Sequence, residues 1–343
     1  MFQPGKLPAA HLAALIGRLS QRDSRVVVGP RPGEDAAVID VGGRRRCLVV
    51  TTDPITFAAE RLGSYVVHVN ANDVAVMGAR PRWFFLVLLL PAGRADEALL
   101  DRTMQDVAAA CDALDITLCG GHTEITAGLE RPIAIGQMLG EVERDRLVRK
   151  EALRPGDLVV LTGAAAIEGT AILAREKRQT LAASLAGPLL DRAAAFLDDP
   201  GISVVRAALA AAATGRVRAM HDPTEGGVVT GLLELASRAG LGLLADGDRI
   251  PIRPETRAIC DALDVDPLRL IASGALLVGV PAASAPVVLE ALAREAIPAA
   301  VVGEMREAAH GAVLTRGGRG EPLTLPARDE IARLFSSGII SPP

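Results

Sequence analysis

Aromatic residues are scarce in this chain, where one Trp, one Tyr and six Phe account for 2% of the 343 residues. A surface on which nucleic-acid bases stack needs several aromatic side chains, so the composition argues against such a surface. An excess of positive charge is also missing, because 37 basic and 41 acidic residues leave a formal net charge of −4. Proteins that follow the phosphate backbone carry a strongly basic face, so we expect no nucleic-acid partner.

Long hydrophobic runs and paired cysteines are missing as well. The longest dense apolar run covers residues 83–90, whereas a membrane helix needs about 20 residues. The amino terminus lacks the apolar region of a signal peptide, and none of the four cysteines forms a Cys-x-x-Cys pair. These absences predict a cytoplasmic protein with no membrane partner. We expect Cys111 and Cys119 to lie in the core.

Several familiar catalytic motifs do not occur. The sequence has no Walker loop, no G-x-G-x-x-G opening a helix after the first strand, no G-x-S-x-G and no H-E-x-x-H. A Walker-type NTPase, a nucleophile-elbow hydrolase and a zincin are therefore excluded, and dinucleotide binding is unsupported.

The residues that are present predict an α/β protein of two domains. Hydrophobic residues make up 50% of the chain, and short apolar runs alternate with helical patterns throughout. The charged stretch 143–155 precedes a new strand, so we place the domain boundary near residues 148–156. The predicted division is an N-terminal domain at 1–150, a C-terminal domain at 151–335 and a frayed tail at 336–343.

Five short acidic segments carry the chemistry that the sequence offers. We expect four of them beside turns or strand ends and one inside a helix. Carboxylates suit Mg²⁺, a hard cation that shares its coordination shell with phosphate oxygens, and small neighbouring residues let backbone N–H groups approach phosphate. The segments are Gly33-Glu34-Asp35, Thr51-Thr52-Asp53-Pro54, Asn70-Ala71-Asn72-Asp73, Gly120-Gly121-His122-Thr123-Glu124 and Asp222-Pro223-Thr224-Glu225-Gly226.

Each segment also has a simpler interpretation. Asp53 before a proline can be a turn that ends a strand, and Asp222 before a proline can be the N-cap of a helix. His122 can be a structural histidine. Asp73 is harder to dismiss, because an acid in a helix rich in Val and Ala must find a partner. The apolar run 83–90 predicts a strand with both faces covered, either by the core or by a second subunit.

Taken in order, these segments resemble the AIR synthase superfamily, which includes HypE, thiamine-monophosphate kinase and selenophosphate synthetase. The resemblance implies an N-terminal domain that forms a dimeric β-barrel with a second subunit, and a C-terminal α/β sandwich domain. It also implies ATP bound between subunits through Mg²⁺. The matching stretches are residues 33–37, 51–53, 72–81, 120–123 and 222–227.

The roles of the family's site residues are assigned here only to residues that lie in matching motifs. The resemblance implies that Asp73, His122 and Glu124 are catalytic. It implies metal ligands at Asp35, Asp53, Asp73 and Asp222, which also bind ATP together with Gly33, Asn72, Gly120, Gly121 and Thr123.

Family members often transfer phosphoryl from ATP to an oxygen such as an amide carbonyl, and here the acceptor is expected to be a small molecule. The alternatives are HypE-like hydrogenase maturation, selenophosphate-synthetase-like phosphoryl transfer and a non-catalytic nucleotide-binding regulator.

Two sequence features distinguish this chain from the HypE branch. That branch ends in Pro-Arg-Ile-Cys, whose cysteine carries the carbamoyl group, whereas this sequence ends in Ser341-Pro342-Pro343. The HypE branch also carries Asn-Glu-Gly where this chain has Ala272-Ser273-Gly274. The chain is therefore most similar to the AIR synthase-related, HypE-like group that lacks the cysteine tail, and a HypE-like reaction would need a thiol from a maturation partner.

Overall fold

The computed structural model describes residue 7 and residues 9–19, 22–42, 45–56, 60–325 and 330–336. These residues form two compact units. One unit is Ser20–Leu147, and the other contains Val148 onward together with helix α1 (Ala9–Ile16). The change of unit lies beside the predicted boundary, but α1 groups with the C-terminal unit and not with the predicted domain 1–150. Residues 337–343 of the predicted tail lie outside the described residues.

The N-terminal unit is a six-stranded sheet with two helices. The strand order is β1-β2-β3-β6-β4-β5, and neighbours are antiparallel except for the parallel pair β4–β5. The elements are β1 (Val26–Val28), β2 (Ala37–Asp40), β3 (Arg46–Ile55), α2 (Leu62–Val76), β4 (Arg80–Pro91), α3 (Glu97–Leu114), β5 (Thr117–Thr126) and β6 (Ile133–Glu143).

Helix α2 lies between the sheet and α3, and it is buried on nearly every side. Glycines allow the close approach. A Cβ on Gly63 would lie 2.2 Å from the backbone oxygen of Thr103 in α3, and one on Gly140 would lie 2.4 Å from Cγ1 of Val74. Because a helix packed on both sides must be apolar all round, the polar side chains that α2 does carry need partners on β3.

Strand β4 is covered on one face only. Phe84, Leu86 and Leu88 are buried on the side of α2, whereas Phe85 on the other side is 37% exposed and its neighbours at 83, 87 and 89 are half-buried. Within one chain the core therefore covers only the inner face of residues 83–90, and cover of the outer face by a second subunit stays a prediction. The reason for the one-sided cover is the alternation of a strand, which turns every second side chain to the outer face, where α2 does not reach.

The C-terminal unit is built on a seven-stranded sheet of order β13-β12-β9-β11-β7-β10-β8. Helix α8 packs its apolar face on the sheet, and a second core joins α4, α6, α9 and α11. Its elements are β7 (Asp157–Thr162), α4 (Ile167–Glu176), α5 (Arg178–Leu181), α6 (Gly187–Ala194), α7 (Val205–Ala213), β8 (Ala219–His221), α8 (Gly227–Ala239), β9 (Gly242–Asp246), α9 (Pro254–Leu263), β10 (Leu276–Pro281), α10 (Ala285–Arg294), β11 (Ala299–Arg306), β12 (Ala312–Arg316), β13 (Arg319–Pro322) and α11 (Glu330–Ser336).

The predicted α/β class is confirmed, with alternating strands and helices in both units. Within the ranges given above, every helix is too short or too polar to span a bilayer.

The packing of α2 on β6 predicts the effect of filling its closest approach. Gly140→Ala will lower the unfolding temperature, since the new methyl group overlaps Val74 and the backbone oxygen of Arg80 at 2.5 Å. Overpacking of this kind costs about 1–3 kcal/mol of unfolding free energy. The control is Gly120→Ala, whose methyl group would lie 3.6 Å from Phe85 in ordinary contact. Equal melting temperatures of the two variants in calorimetry would contradict the prediction.

Candidate functional site

Two predicted acidic side chains and the backbone oxygen of a third predicted residue meet at the hydroxyl group of Thr51. Its Oγ1 lies 2.8 Å from Oδ2 of Asp73, 3.3 Å from Oδ2 of Asp53 and 3.1 Å from the backbone oxygen of Asp35. Strand β3 supplies Thr51 and Asp53 on one face, and α2 supplies Asp73. A hydroxyl group has a single hydrogen to donate, so it cannot satisfy all three oxygens at once.

Asn70 fixes the backbone at Asp53. Its Oδ1 accepts from the Asp53 N–H at 2.9 Å, and its Nδ2 donates to the Asp53 carbonyl at 3.3 Å and to the Val66 carbonyl at 2.8 Å. The side chain of Asn70 is fully buried. A buried amide with these contacts ties α2 to β3 and sets the position of Asp53 relative to Asp73.

Two residues of this cluster, Thr51 and Asn70, were not among the predicted site residues. The sequence contains a signal for each. Thr51 lies two positions from Asp53 and therefore on the same strand face, and Asn70 lies three positions from Asp73 on the same side of a helix. The predicted helix and the need of Asp73 for a partner are confirmed, since α2 contains Asp73 and Thr51 donates to it.

The donor atoms of the cluster fit a hard divalent cation. Asp73 is 8% exposed, and its carboxylate and that of Asp53 face the same hydroxyl group. Two carboxylates held this close repel each other, and a cation with oxygen ligands relieves the repulsion. Asp53 and Asp73 are therefore the residues that would hold Mg²⁺, and the backbone oxygen of Asp35 lies at the same hydroxyl group.

The placement of Asp53 corrects two expectations. It lies inside β3 and not after it, because β3 continues to Ile55 and pairs Asp53 with Gly136 of β6. The alternative of a strand-ending turn is therefore wrong.

Two other residues predicted to bind ATP lie nearby in the sequence. Gly33 lies in a turn with φ +76° before Asp35, whereas Asn72 is fully buried in α2.

Residues 120–124 do not lie beside a turn or a strand end, where the sequence predicted them. They lie within β5, the edge strand, where the side chains of residues 117–125 are exposed. Gly121 has a packing role, because a Cβ there would lie 1.8 Å from the backbone oxygen of Leu86. Its neighbours on the same strand, Gly120 and Thr123, are open to solvent.

The structure does not bring His122 and Glu124 to the Thr51 cluster within one chain. Their Nε2 and Oε2 atoms lie 3.6 Å apart, and His122 pairs with Val87 on the outer face of the sheet. Asp53 lies on the opposite face, with β6 and β4 between β3 and β5. Three inter-strand spacings correspond to about 14 Å.

Asp222 lies in the C-terminal unit, directly after β8, and is 2% exposed. The alternative of an N-cap is wrong, since α8 begins at Gly227 and Gly226 precedes it. Next to it, the ring of His221 contacts Lys150 and Glu234, two residues that sequence reasoning missed.

The cysteines divide between buried and exposed sites. Cys111 is buried as expected, and burial raises the pKa of its thiol to about 11. Burial likewise raises the pKa of Cys260 to about 12. The expectation for Cys119 is wrong, because it lies exposed on β5.

Comparison with known proteins supports the same family that the motifs indicate. Residues 33–142 match the AIR synthase related protein N-terminal domain, and residues 154–315 match the corresponding C-terminal domain. Carbamoyl dehydratase HypE of Rhodobacter capsulatus is 32% identical over 278 residues, covering 78% of this chain and 77% of its own length.

Solved structures show the same fold. The crystal structure of the hydrogenase maturation protein HypE in complex with ATP has a TM-score of 0.71 and 25% identity, covering 96% of this chain and 98% of that one. A chain in the crystal structure of the HypE-HypF complex has a TM-score of 0.71 and 20% identity, covering 85% of this chain and 93% of that one. On the sequence matches to both of its domains, this chain belongs to the AIR synthase related family.

Proposed function

We propose that this protein is a HypE-like enzyme that uses ATP and Mg²⁺ to transfer a phosphoryl group to an amide or similar oxygen of a small-molecule substrate. The observation that carries the proposal is the convergence of Asp35, Asp53 and Asp73 on the Thr51 hydroxyl group. Oxygen ligands gathered at one point suit a cation that also binds phosphate. The relatives named carbamoyl dehydratase and the HypE structure with ATP support an ATP-using role of this type.

The reaction that this role implies balances in two steps. The carbonyl oxygen of a carbamoyl or carboxamide group attacks the γ-phosphorus of ATP, and the bond to ADP breaks. The nitrogen then loses its protons while the carbon–oxygen bond breaks, so that phosphate leaves and a nitrile remains. Phosphate is a far better leaving group than oxide, which is why the first step makes the second possible.

This chain's own residues would position the reactants and move protons. Bound Mg²⁺ would neutralise the charge that develops on the transferred phosphoryl group. Asp53 and Asp73 would hold that ion, with Asn70 fixing Asp53. His122, beside Glu124, is a candidate acceptor for the amide proton, because an imidazole nitrogen can take a proton near neutral pH.

The distance between β3 and β5 favours a homodimer. His122 and Glu124 lie on the outer face of the sheet, far from the Thr51 cluster of the same chain, so they would serve an ATP held by a second copy. The outer face around Phe85 is apolar and partly exposed, and β5 is an open edge. A second copy covering this face would bury it and would close the sheets into the dimeric barrel that the family resemblance implies.

Two alternatives differ from this proposal in measurable ways. A nucleotide-binding regulator would bind ATP but would not turn it over with any acceptor. A HypE-like maturation factor would act only when a partner protein presents the carbamoyl group, and the HypE-HypF complex motivates a search for such a partner.

The cytoplasmic location expected from the sequence stays a prediction.

The first prediction concerns the proposed metal ligands. We expect calorimetric titration to show ATP binding in the presence of Mg²⁺ and little binding in EDTA. Asp73→Asn will lower turnover about 100-fold or more, since a catalytic metal supplies several kcal/mol of transition-state stabilisation. Asp101→Asn, on the exposed side of α3, is the control and will keep both activities. Unchanged turnover in Asp73→Asn would remove Asp73 from the mechanism.

The second prediction concerns the dimer. Phe85→Glu will convert a dimer into a monomer in analytical ultracentrifugation and will lower turnover with it, because a charge on the outer face cannot be buried against a second copy. The control is Val287→Glu, which places the same charge at a 48% exposed position on α10 of the C-terminal unit, away from the N-terminal sheet in sequence. A monomeric wild-type protein with full turnover would refute the shared site.

A further inference from the structure

The C-terminal unit contains a row of three polar side chains that the proposed reaction does not use. Nζ of Lys150 lies 3.1 Å from Nδ1 of His221, and Nε2 of His221 lies 2.8 Å from Oε2 of Glu234. Lys150 is 2% exposed and His221 is 5% exposed, so both are buried. The side chain of Glu234 is 28% exposed and connects the row to solvent.

The contacts assign the proton of the imidazole ring. A lysine ammonium group can only donate hydrogen bonds, so Nδ1 of His221 accepts from Lys150. A neutral imidazole has one N–H, which must then be on Nε2, where it donates to the carboxylate of Glu234. The row therefore consists of a cation, a neutral ring in a single tautomer and an anion, and its net charge is zero.

The row connects both ends of the segment that carries Asp222. His221 is the last residue of β8, directly before that segment, and Glu234 lies in α8, which follows it. Lys150 belongs to a short 3-10 turn, Lys150–Ala152, that packs against both elements. A ring nitrogen of His221 and a carboxylate oxygen of Asp222 lie within 4.8 Å of each other.

We propose that Lys150, His221 and Glu234 are positioning residues for Asp222. They hold the imidazole in the Nε2–H tautomer and fix residues 222–226 between β8 and α8, so that the carboxylate of Asp222 keeps one position from which it can bind a nucleotide or its metal. The inference rests on the proposed function and on the expectation, implied by the family resemblance, that Asp222 binds the nucleotide or its metal. Residues that orient a ligand through a hydrogen bond act in this way at many metal sites.

A purely structural role is the competing explanation, and the chain contains a matched control for it. Glu151, in the same turn as Lys150, pairs with Arg238 of α8. This ion pair also ties the turn to α8, but it does not include His221. If the row only anchors the helix, loss of the Glu151 pair and loss of Glu234 will have the same effect.

The first experiment measures the affinity for ATP in the presence of Mg²⁺ by calorimetry. Glu234→Ala will weaken binding about tenfold, as loss of a residue that orients a ligand does. Glu234→Gln will bind within about twofold of wild type, because its Oε1 still accepts from Nε2–H. Glu151→Ala will bind like wild type. Equal losses in Glu234→Ala and Glu151→Ala, or no loss in Glu234→Ala, would overturn the inference.

The second experiment needs no nucleotide. In protein labelled with ¹⁵N-histidine, two-bond ¹H–¹⁵N spectra will show the ring of His221 in the Nε2–H tautomer. Either partner alone is enough to hold the proton on Nε2, so the double variant Lys150→Met/Glu234→Ala will populate both tautomers. A wild-type ring in the Nδ1–H tautomer, or a ring unchanged in the double variant, overturns the inference whatever ATP does. A wild-type protein that fails to bind ATP while showing the Nε2–H tautomer overturns the proposed function and the positioning of Asp222 for ATP, but leaves the row itself established.

Discussion

The hydrogen bond from Thr51 to Asp73 joins β3 to α2 at 2.8 Å, and the candidate site depends on it. A carboxylate that is only 8% exposed is costly without a donor, and Thr51 supplies one from the facing strand. The bond is possible because glycines on β6 let α2 lie close to the sheet. Asn70 on the same helix then fixes the backbone of Asp53. The close packing of α2 on the sheet therefore also brings the oxygen ligands of the candidate site together.

The two faces of the N-terminal sheet differ in chemistry. The face toward α2 is closed and holds the acidic cluster, while the outer face presents apolar side chains around Phe85 and the pair His122–Glu124. Neither face by itself carries both the acidic cluster and the His122–Glu124 pair that the proposed reaction uses. A second copy is the simplest way to combine them, because it would also cover apolar surface and the open edge at β5.

In the C-terminal unit, the surroundings of the candidate acid Asp222 differ from those of the N-terminal cluster. Asp222 follows β8, a short strand at the end of the sheet that ends in His221. The ring of that histidine is held between a buried cation and a partly exposed anion. The ring of His221 accepts a hydrogen bond from Lys150 and donates one to Glu234, and these contacts restrict it to one tautomer beside the proposed ligand Asp222.

The sequence by itself determined the α/β class, the approximate position of most strands and helices, and the demand of Asp73 for a partner, because periodicity and the cost of burying a charge are local properties. It also indicated the family through the order of its motifs. It did not reveal that Asp53 and residues 120–124 lie inside strands, that β5 is an edge, or that Lys150 and Glu234 flank His221. Strand pairing and the contacts between residues distant along the chain decide those features, and only the tertiary structure contains them.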